Sequence, residues 1–130
     1  MKKLELETHE SDRGNLYVGT SGKEVPFEIR RFFVIKDVPL GEERGTHAHK
    51  SCEQAVFCLQ GSCELLVDDG SHKEIVRLSS METGALLKKR TWHSFKSFSK
   101  DCILLVLASE PYDAADYIHD YDEFLKFIAQ

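Results

Sequence analysis

No stretch of this chain approaches the roughly 18 uninterrupted apolar residues that a membrane-crossing helix needs. Its start, MKKLELETHE, has two lysines but no apolar core of seven or more residues, so it does not read as a secretory leader. The expected location is the cytoplasm. Positive charge is not in excess either: 17 Lys and Arg stand against 22 Asp and Glu, a net charge of −5. That balance excludes general affinity for nucleic acid or an anionic membrane, and any bound anion must meet a local basic pocket. Cys52, Cys58, Cys63 and Cys102 contain no C-x-x-C pair, and four cysteines without a secretory signal are expected to stay reduced. Prolines are few (Pro26, Pro39 and Pro111), and there is no repeat, low-complexity tract or linker. What remains is a chain of 130 residues with 42% hydrophobic side chains, enough for one core and one domain spanning 1–130.

The pattern that is present is mostly strand. FEIRRFFVI (27–35) alternates, SCELLVD (62–68) and KEIVRL (73–78) flank the turn residues Asp69, Gly70 and Ser71, and CILLVLA (102–108) is a short continuous apolar run. Short strands separated by turns about every ten residues predict an all-β sandwich or barrel. Only the tail reads as helix. Ile118, Tyr121, Phe124, Leu125 and Ile128 recur at three- and four-residue steps, and Asp120 with Glu123 forms an Asp version of a capping box for a helix starting near Tyr121.

The chemistry concentrates in Gly45-Thr46-His47-Ala48-His49-Lys50. On a strand, residues two apart share a face, so His47 and His49 project together. Two adjacent imidazoles are either metal ligands or an acid/base pair. From Gly41 the spacing G-x5-H-x-H continues to Gln54 and Gly61 and resembles the first motif of the cupin barrels, with Gln54 where those proteins usually carry Glu. The second cupin motif matches at 88–93, keeping His93 but not the usual Pro and Gly. A cupin metal would use His47, His49, the motif Glu and His93. With a neutral carboxamide at Gln54 the charge-balancing ligand is missing, so no metal and no other cofactor is expected.

A closer resemblance covers about residues 11–126. It runs through Arg13-Gly14-x-Leu16, Pro26-Phe27-x-Ile29-x-Arg31, Arg44-Gly45-x-His47-Ala48-His49-Lys50, Gln54, Asp68-Asp69-Gly70 and Trp92-His93, and through Tyr112-Asp113-x-x-Asp116-Tyr117-Ile118. These residues are similar to the cupin sugar-nucleotide 3,4-ketoisomerases, which act on dTDP-4-keto-6-deoxyglucose, and to the related WxcM-like proteins. The resemblance implies a cupin jelly-roll barrel with a short C-terminal helix. It also implies a dTDP-linked hexose as ligand and a homodimer with exchanged N-terminal strands. The implied reaction moves a keto group from C4 to C3 through an enediol, without metal.

On that resemblance His49 is the first expectation for the carbon-bound proton and His47 for proton traffic between oxygens, because an imidazole accepts and donates near neutral pH. Arg31 is expected either to stabilise the enediolate or to form a structural ion pair. Arg44 is expected either at the pyrophosphate or as a solvated loop arginine, Trp92 either at the nucleobase or hexose or in the core, and Gln54 and His93 at the hexose. Tyr17 and Arg13 are expected to reach the partner's pocket. The family's strand after Pro-Phe usually reads Arg-x-Tyr-Tyr, whereas this chain has Arg31-Phe32-Phe33-Val34 and no hydroxyl there. That difference keeps open a nucleotide-sugar-binding protein without catalysis; the three histidines keep open a small metal-dependent cupin enzyme.

Overall fold

A computed structural model describes all of residues 1–130. In chain order the strands are β1 (Lys2–Glu5), β2 (Glu7–Ser11), β3 (Gly14–Val18), β4 (Arg31–Lys36), β5 (Arg44–His49), β6 (Gln54–Gln60), β7 (Cys63–Asp68) and β8 (Lys73–Leu78). They continue with β9 (Thr83–Leu87), β10 (Trp92–Lys96), β11 (Ile103–Ala108) and β12 (Tyr117–Ile118), and the chain ends in helix α1 (Tyr121–Ile128). One sheet has the order β1-β9-β6-β11-β4, the second β12-β5-β10-β7-β8, and β2 pairs only with β3. The named strand pairs are antiparallel. Two such sheets packed face to face give the expected all-β jelly roll. No helix is long and apolar enough to cross a membrane.

Alternation decides which side chains fill the space between the sheets. From the first sheet come Ile35, Val56, Cys58, Leu104 and Val106; from the second come Leu65, Val67 and Phe95. The residues between them in sequence face the other way, where Ala55, Phe57 and Leu86 pack with Leu4 and Val25. The first sheet is thus covered on both faces, which is why 102–108 reads as a continuous apolar run rather than an alternating one. All four cysteines are free and buried. Burial raises the thiol pKa of Cys58, Cys63 and Cys102, which keeps these sulfurs in the inert protonated form.

The N-terminal half of the expected 27–35 strand is not strand. Phe27 and Ile29 are tied to the preceding loop, since the Ser21 hydroxyl donates to the Phe27 carbonyl at 3.1 Å and accepts from the Ile29 amide at 3.0 Å. Their side chains join the outer cluster instead of sharing the inner face with Arg31, Phe33 and Ile35. At the other end, Ile118 belongs to β12 and α1 begins at Tyr121. The cap forms as the sequence implies, with the Asp120 carboxylate accepting from the Glu123 amide at 3.0 Å. Phe124 is fully buried against Ala48, Trp92 and Ile118, a burial worth roughly 2–3 kcal/mol. Tyr121 donates its hydroxyl to Asp68. Arg90 donates to the Phe127 carbonyl at 3.3 Å, so the helix is fastened to the outside of the second sheet at both ends.

Candidate active site

Strand register brings the site together. On the second sheet His47 lies opposite His93, and Tyr117 lies opposite His49. On the first sheet Arg31, Ala108, Gln54 and Leu87 form one row across β4, β11, β6 and β9. Gly45 interrupts β5 with a φ of 65° beside a register shift between His93 and Phe95. A side chain at Gly45 would meet the Phe95 ring at 3.0 Å, so the bulge needs glycine for both reasons. The bulge also turns the Gly45 carbonyl toward His93, whose Nδ1 donates to it at 2.9 Å.

His47 is the hub. Its ring centroid lies 4.9 Å from His49, 5.0 Å from His93, 4.8 Å from Tyr117 and 5.7 Å from His119. His49 is only 2% exposed and is held from behind, its Nδ1 donating to Asp116 Oδ2 at 2.8 Å. Asp116 Oδ1 in turn accepts from the Ser51 amide at 2.7 Å and the Ser51 hydroxyl at 2.9 Å. These bonds fix two tautomers. With Nδ1–H committed to an oxygen, the neutral rings of His49 and His93 each present a lone pair at Nε2. Both Nε2 atoms are buried without a partner, as is Nε of Arg31.

The electrostatics follow from burial. Desolvation, with His49 and His119 nearby, pushes the His47 pKa down to about 4. Desolvation with His47 and His49 pushes that of His93 down to about 3. His49 is lowered too, since burial outweighs the pull of Asp116. For Asp116 burial opposes ionisation, but the bonds from Ser51 and His49 win and keep its carboxyl below the ordinary value. Burial also opposes the charge of Arg31, and Tyr117 and Cys52 beside it more than compensate. The histidines are therefore neutral at pH 7, bases rather than cations.

A stability prediction follows from those shifts. An unfolded imidazole binds a proton near pH 6.5, whereas folded His93 does so only near 3. Between those values the unfolded chain holds more protons, so stability declines as pH falls from about 7 toward 4. His93 alone should cost about 2 kcal/mol at pH 5 relative to pH 7.5. Urea unfolding midpoints at the two pH values read this directly, and an unchanged or higher midpoint at pH 5 would contradict it.

Among the residues expected from sequence, His47, His49, His93, Gln54 and Arg31 meet at one end of the space between the sheets. Arg31 forms no structural ion pair; its guanidinium lies 5.5 Å from the Phe33 ring and 5.8 Å from that of Tyr112. Trp92 corrects the sugar- or base-contacting alternative. It points to the opposite face of β10 from His93, is 8% exposed, and packs under α1 with Phe124. Arg44 is exposed at the start of β5, in a surface depression with Val34, Lys36 and Glu42 rather than in the histidine cluster. Arg13 and Tyr17 lie on the β2–β3 hairpin, apart from the histidines of their own chain. Arg90, in the segment 88–93, is committed to α1. From sequence Tyr117 is expected to pack against the helix and Asp116 and His119 carry no site role, whereas the structure sets Tyr117 against His47 and His49. Their signal was the Asp-Tyr-Ile of the tail, which the two-residue strand β12 delivers to β5.

Nitrogen atoms of His47, His49 and His93 lie within 4.8 Å of one another. Three neutral imidazoles are a fitting donor set for a borderline divalent ion such as zinc, but Gln54 supplies no carboxylate to balance its charge. The same atoms are suited, without any ion, to accepting hydrogen bonds and protons.

Residues 1–129 match the family model described as FdtA: WxcM-like, C-terminal. The chain is 43% identical over 118 residues to the TDP-4-oxo-6-deoxy-alpha-D-glucose-3,4-oxoisomerase of Aneurinibacillus thermoaerophilus, covering 91% of this chain and 85% of that protein. Its structure resembles that of a 3,4-ketoisomerase from Helicobacter canadensis with a TM-score of 0.95 at 38% identity, covering 99% of this chain and 97% of that one. It also resembles a mutant of the 3,4-ketoisomerase QdtA from Thermoanaerobacterium thermosaccharolyticum solved with TDP-4-keto-6-deoxyglucose. There the TM-score is 0.93 at 30% identity, with 96% of this chain and 91% of that one covered.

Proposed function

The chain belongs to the FdtA-type, WxcM-like family, and from that footing we propose that it is an isomerase moving the keto group of a dTDP-4-keto-6-deoxyhexose between C4 and C3. One observation carries the reading. At a single end of the molecule two lone-pair acceptors, Nε2 of His49 and of His93, and one cationic donor, Nε of Arg31, are buried and unpartnered. Leaving such groups unsatisfied costs about 1–3 kcal/mol each. A sugar carrying hydroxyls beside a ketone supplies what they lack: O–H donors for the imidazoles and a carbonyl oxygen for the guanidinium.

The reaction needs a base for the C3 proton, a donor to C4 and stabilisation of the enediolate between them. His47 is the half-buried ring at the centre of the cluster, while His49 is almost wholly enclosed and tied to Asp116. We therefore give His47 the carbon-bound proton and His49 the C3 hydroxyl, exchanging the parts expected from sequence alone. Arg31 holds the developing oxyanion, and His93 and Gln54 orient the ring. No step requires a metal.

We further propose a homodimer, with the cytoplasm as its location. The β2–β3 hairpin pairs only with itself and exposes Leu16, and the edge strand β4 exposes Phe32. Both features suit a second copy that receives Arg13 and Tyr17 near its site. The test is to incubate the protein with dTDP-4-keto-6-deoxyglucose, with and without EDTA, and to follow the sugar by NMR. Equal rates of 3-keto product are expected, from a species of twice 14.9 kDa. Tight dTDP binding without product would favour the non-catalytic reading, for which Phe33 and Val34, with no hydroxyl on β4, speak. Loss of activity in EDTA would favour the metal-dependent one.

A further inference from the structure

Moving a keto group between neighbouring carbons also moves a proton between their oxygens, and the histidines already placed do not supply that second proton. β4 offers none, since its inward residues after Arg31 are Phe33 and Ile35. β12 does. The Tyr117 ring lies 4.5 Å from His49 and 4.8 Å from His47 by centroids. It is flanked by Tyr112 at 5.6 Å and stacked on His119 at 5.6 Å and 11°. Pairing of Tyr117 with His49 across β12 and β5 fixes its position along the strand. Tyr117 lies close enough to Arg31 to favour its charged form. The Tyr121 hydroxyl, by contrast, is bonded to Asp68 under α1.

Resting on the ketoisomerase reading, we propose that Tyr117 is a catalytic residue that carries the proton from one sugar oxygen to the other. As His47 takes the proton from C3, the C3–H electron pair forms the C3=C4 bond and the carbonyl electrons go to O4, which receives the phenolic proton of Tyr117. The product of this half is a neutral enediol, a phenolate beside Arg31 and a protonated His47. In the second half the phenolate takes the proton from O3, the O3 electrons form the new carbonyl at C3, and the double-bond pair takes the proton of His47 at C4. Tyrosine and histidine both return to their starting states, so no oxidant, reductant or metal enters. A guanidinium beside the phenol stabilises negative charge on its oxygen at the moment of transfer. Two vicinal sugar oxygens lie within reach of one hydroxyl, which suits a single group to both transfers.

Tyr117→Phe keeps the ring and its packing and removes only the oxygen. Its kcat should fall by about 10²- to 10³-fold, the usual worth of a general acid/base, with dTDP affinity within about threefold of wild type. A second readout separates chemistry from packing. Replacing Tyr117 by difluorotyrosine, which has the same shape and a lower phenol pKa, should move the alkaline limb of the kcat–pH profile down by the same interval. Wild-type turnover with Tyr117→Phe retaining at least a third of kcat would overturn the proposal alone, as would an unmoved alkaline limb. A wild-type protein that binds dTDP but never turns over would overturn the ketoisomerase reading, and the proposal with it.

Discussion

His47→Asn should lower kcat by about 10³-fold or more, the upper range for loss of a general base, while leaving dTDP affinity within about threefold. In barrier terms this is about 4 kcal/mol, at 1.36 kcal/mol per factor of ten. The asymmetry arises because His47 makes no hydrogen bond that holds the fold, yet its ring touches His49, His93, Tyr117 and His119. Asparagine fills part of the space and has no basic nitrogen. The stability of the variant should also fall less steeply than that of wild type between about pH 6.5 and 4, because an imidazole whose pKa is pushed to about 4 in the folded chain has been removed. His49→Asn should lose less activity, since the C3 hydroxyl can still find a partner in the amide. Were His49→Asn to abolish exchange of the carbon-bound proton while His47→Asn retained it, the two parts would have to be reversed.

The second large effect is expected at Asp116, and it comes from tautomer rather than charge. In the wild-type chain Oδ1 accepts from Ser51 and Oδ2 accepts from His49 Nδ1. In Asp116→Asn the carbonyl oxygen stays with the two Ser51 donors, which places the amide NH2 against His49 Nδ1. Two donors cannot face each other, so His49 must move its proton to Nε2 and turn a donor toward the pocket where an acceptor stood. We expect kcat to fall by about 10²-fold, in line with loss of one positioned acid/base group. The fold should persist, since the Ser51 bonds are kept. Nitrogen-15 NMR of the histidines should show His49 changing tautomer. A variant with kcat within threefold of wild type, or an unchanged His49 tautomer, would contradict this account.

Much of this site could be read before any coordinates. His47 and His49 share a face because their strand was recognisable from spacing. Gln54 falls in the row of Arg31 on the facing sheet, because motif distances in a jelly roll are fixed by strand and turn lengths. The helix and its Asp120 cap were local features, and local features are what a sequence states most directly. Three other features were not legible, and each depends on contacts distant in the chain. Asp116 meets His49 across 67 positions, through a two-residue strand too short to have a pattern. For Trp92 the sequence holds both the core and a ligand contact open, the core being the commoner place for a lone Trp, because it adjoins His93 and a one-residue step in register decides between helix and sugar as its neighbour. Phe27 and Ile29 continue the alternation of β4 on paper, yet the Ser21 hydroxyl draws that segment into a loop and its side chains to the outer face of the sheet.

Arg31 sits between these cases. Its inward parity was readable, and an inward guanidinium ordinarily has a carboxylate partner. Here its neighbours are Phe33, Tyr112 and Tyr117, and its Nε is left over. That unpaired donor, opposite two unpaired imidazole acceptors, is what separates a site awaiting a hydroxyketone from a packed protein interior.

Isotopic exchange at the sugar carbons reports whether His47 transfers their proton. The protein is mixed with dTDP-4-keto-6-deoxyglucose in D2O, and C3 and C4 of the hexose are followed by NMR. A 3-keto product is expected from the wild-type protein and not from His47→Asn, its C4 position holding either the proton that His47 took from C3 or a deuteron that exchanged onto the half-buried His47 ring before transfer. A sugar that remains 4-keto and fully protonated at C3 while dTDP stays tightly bound would contradict that transfer.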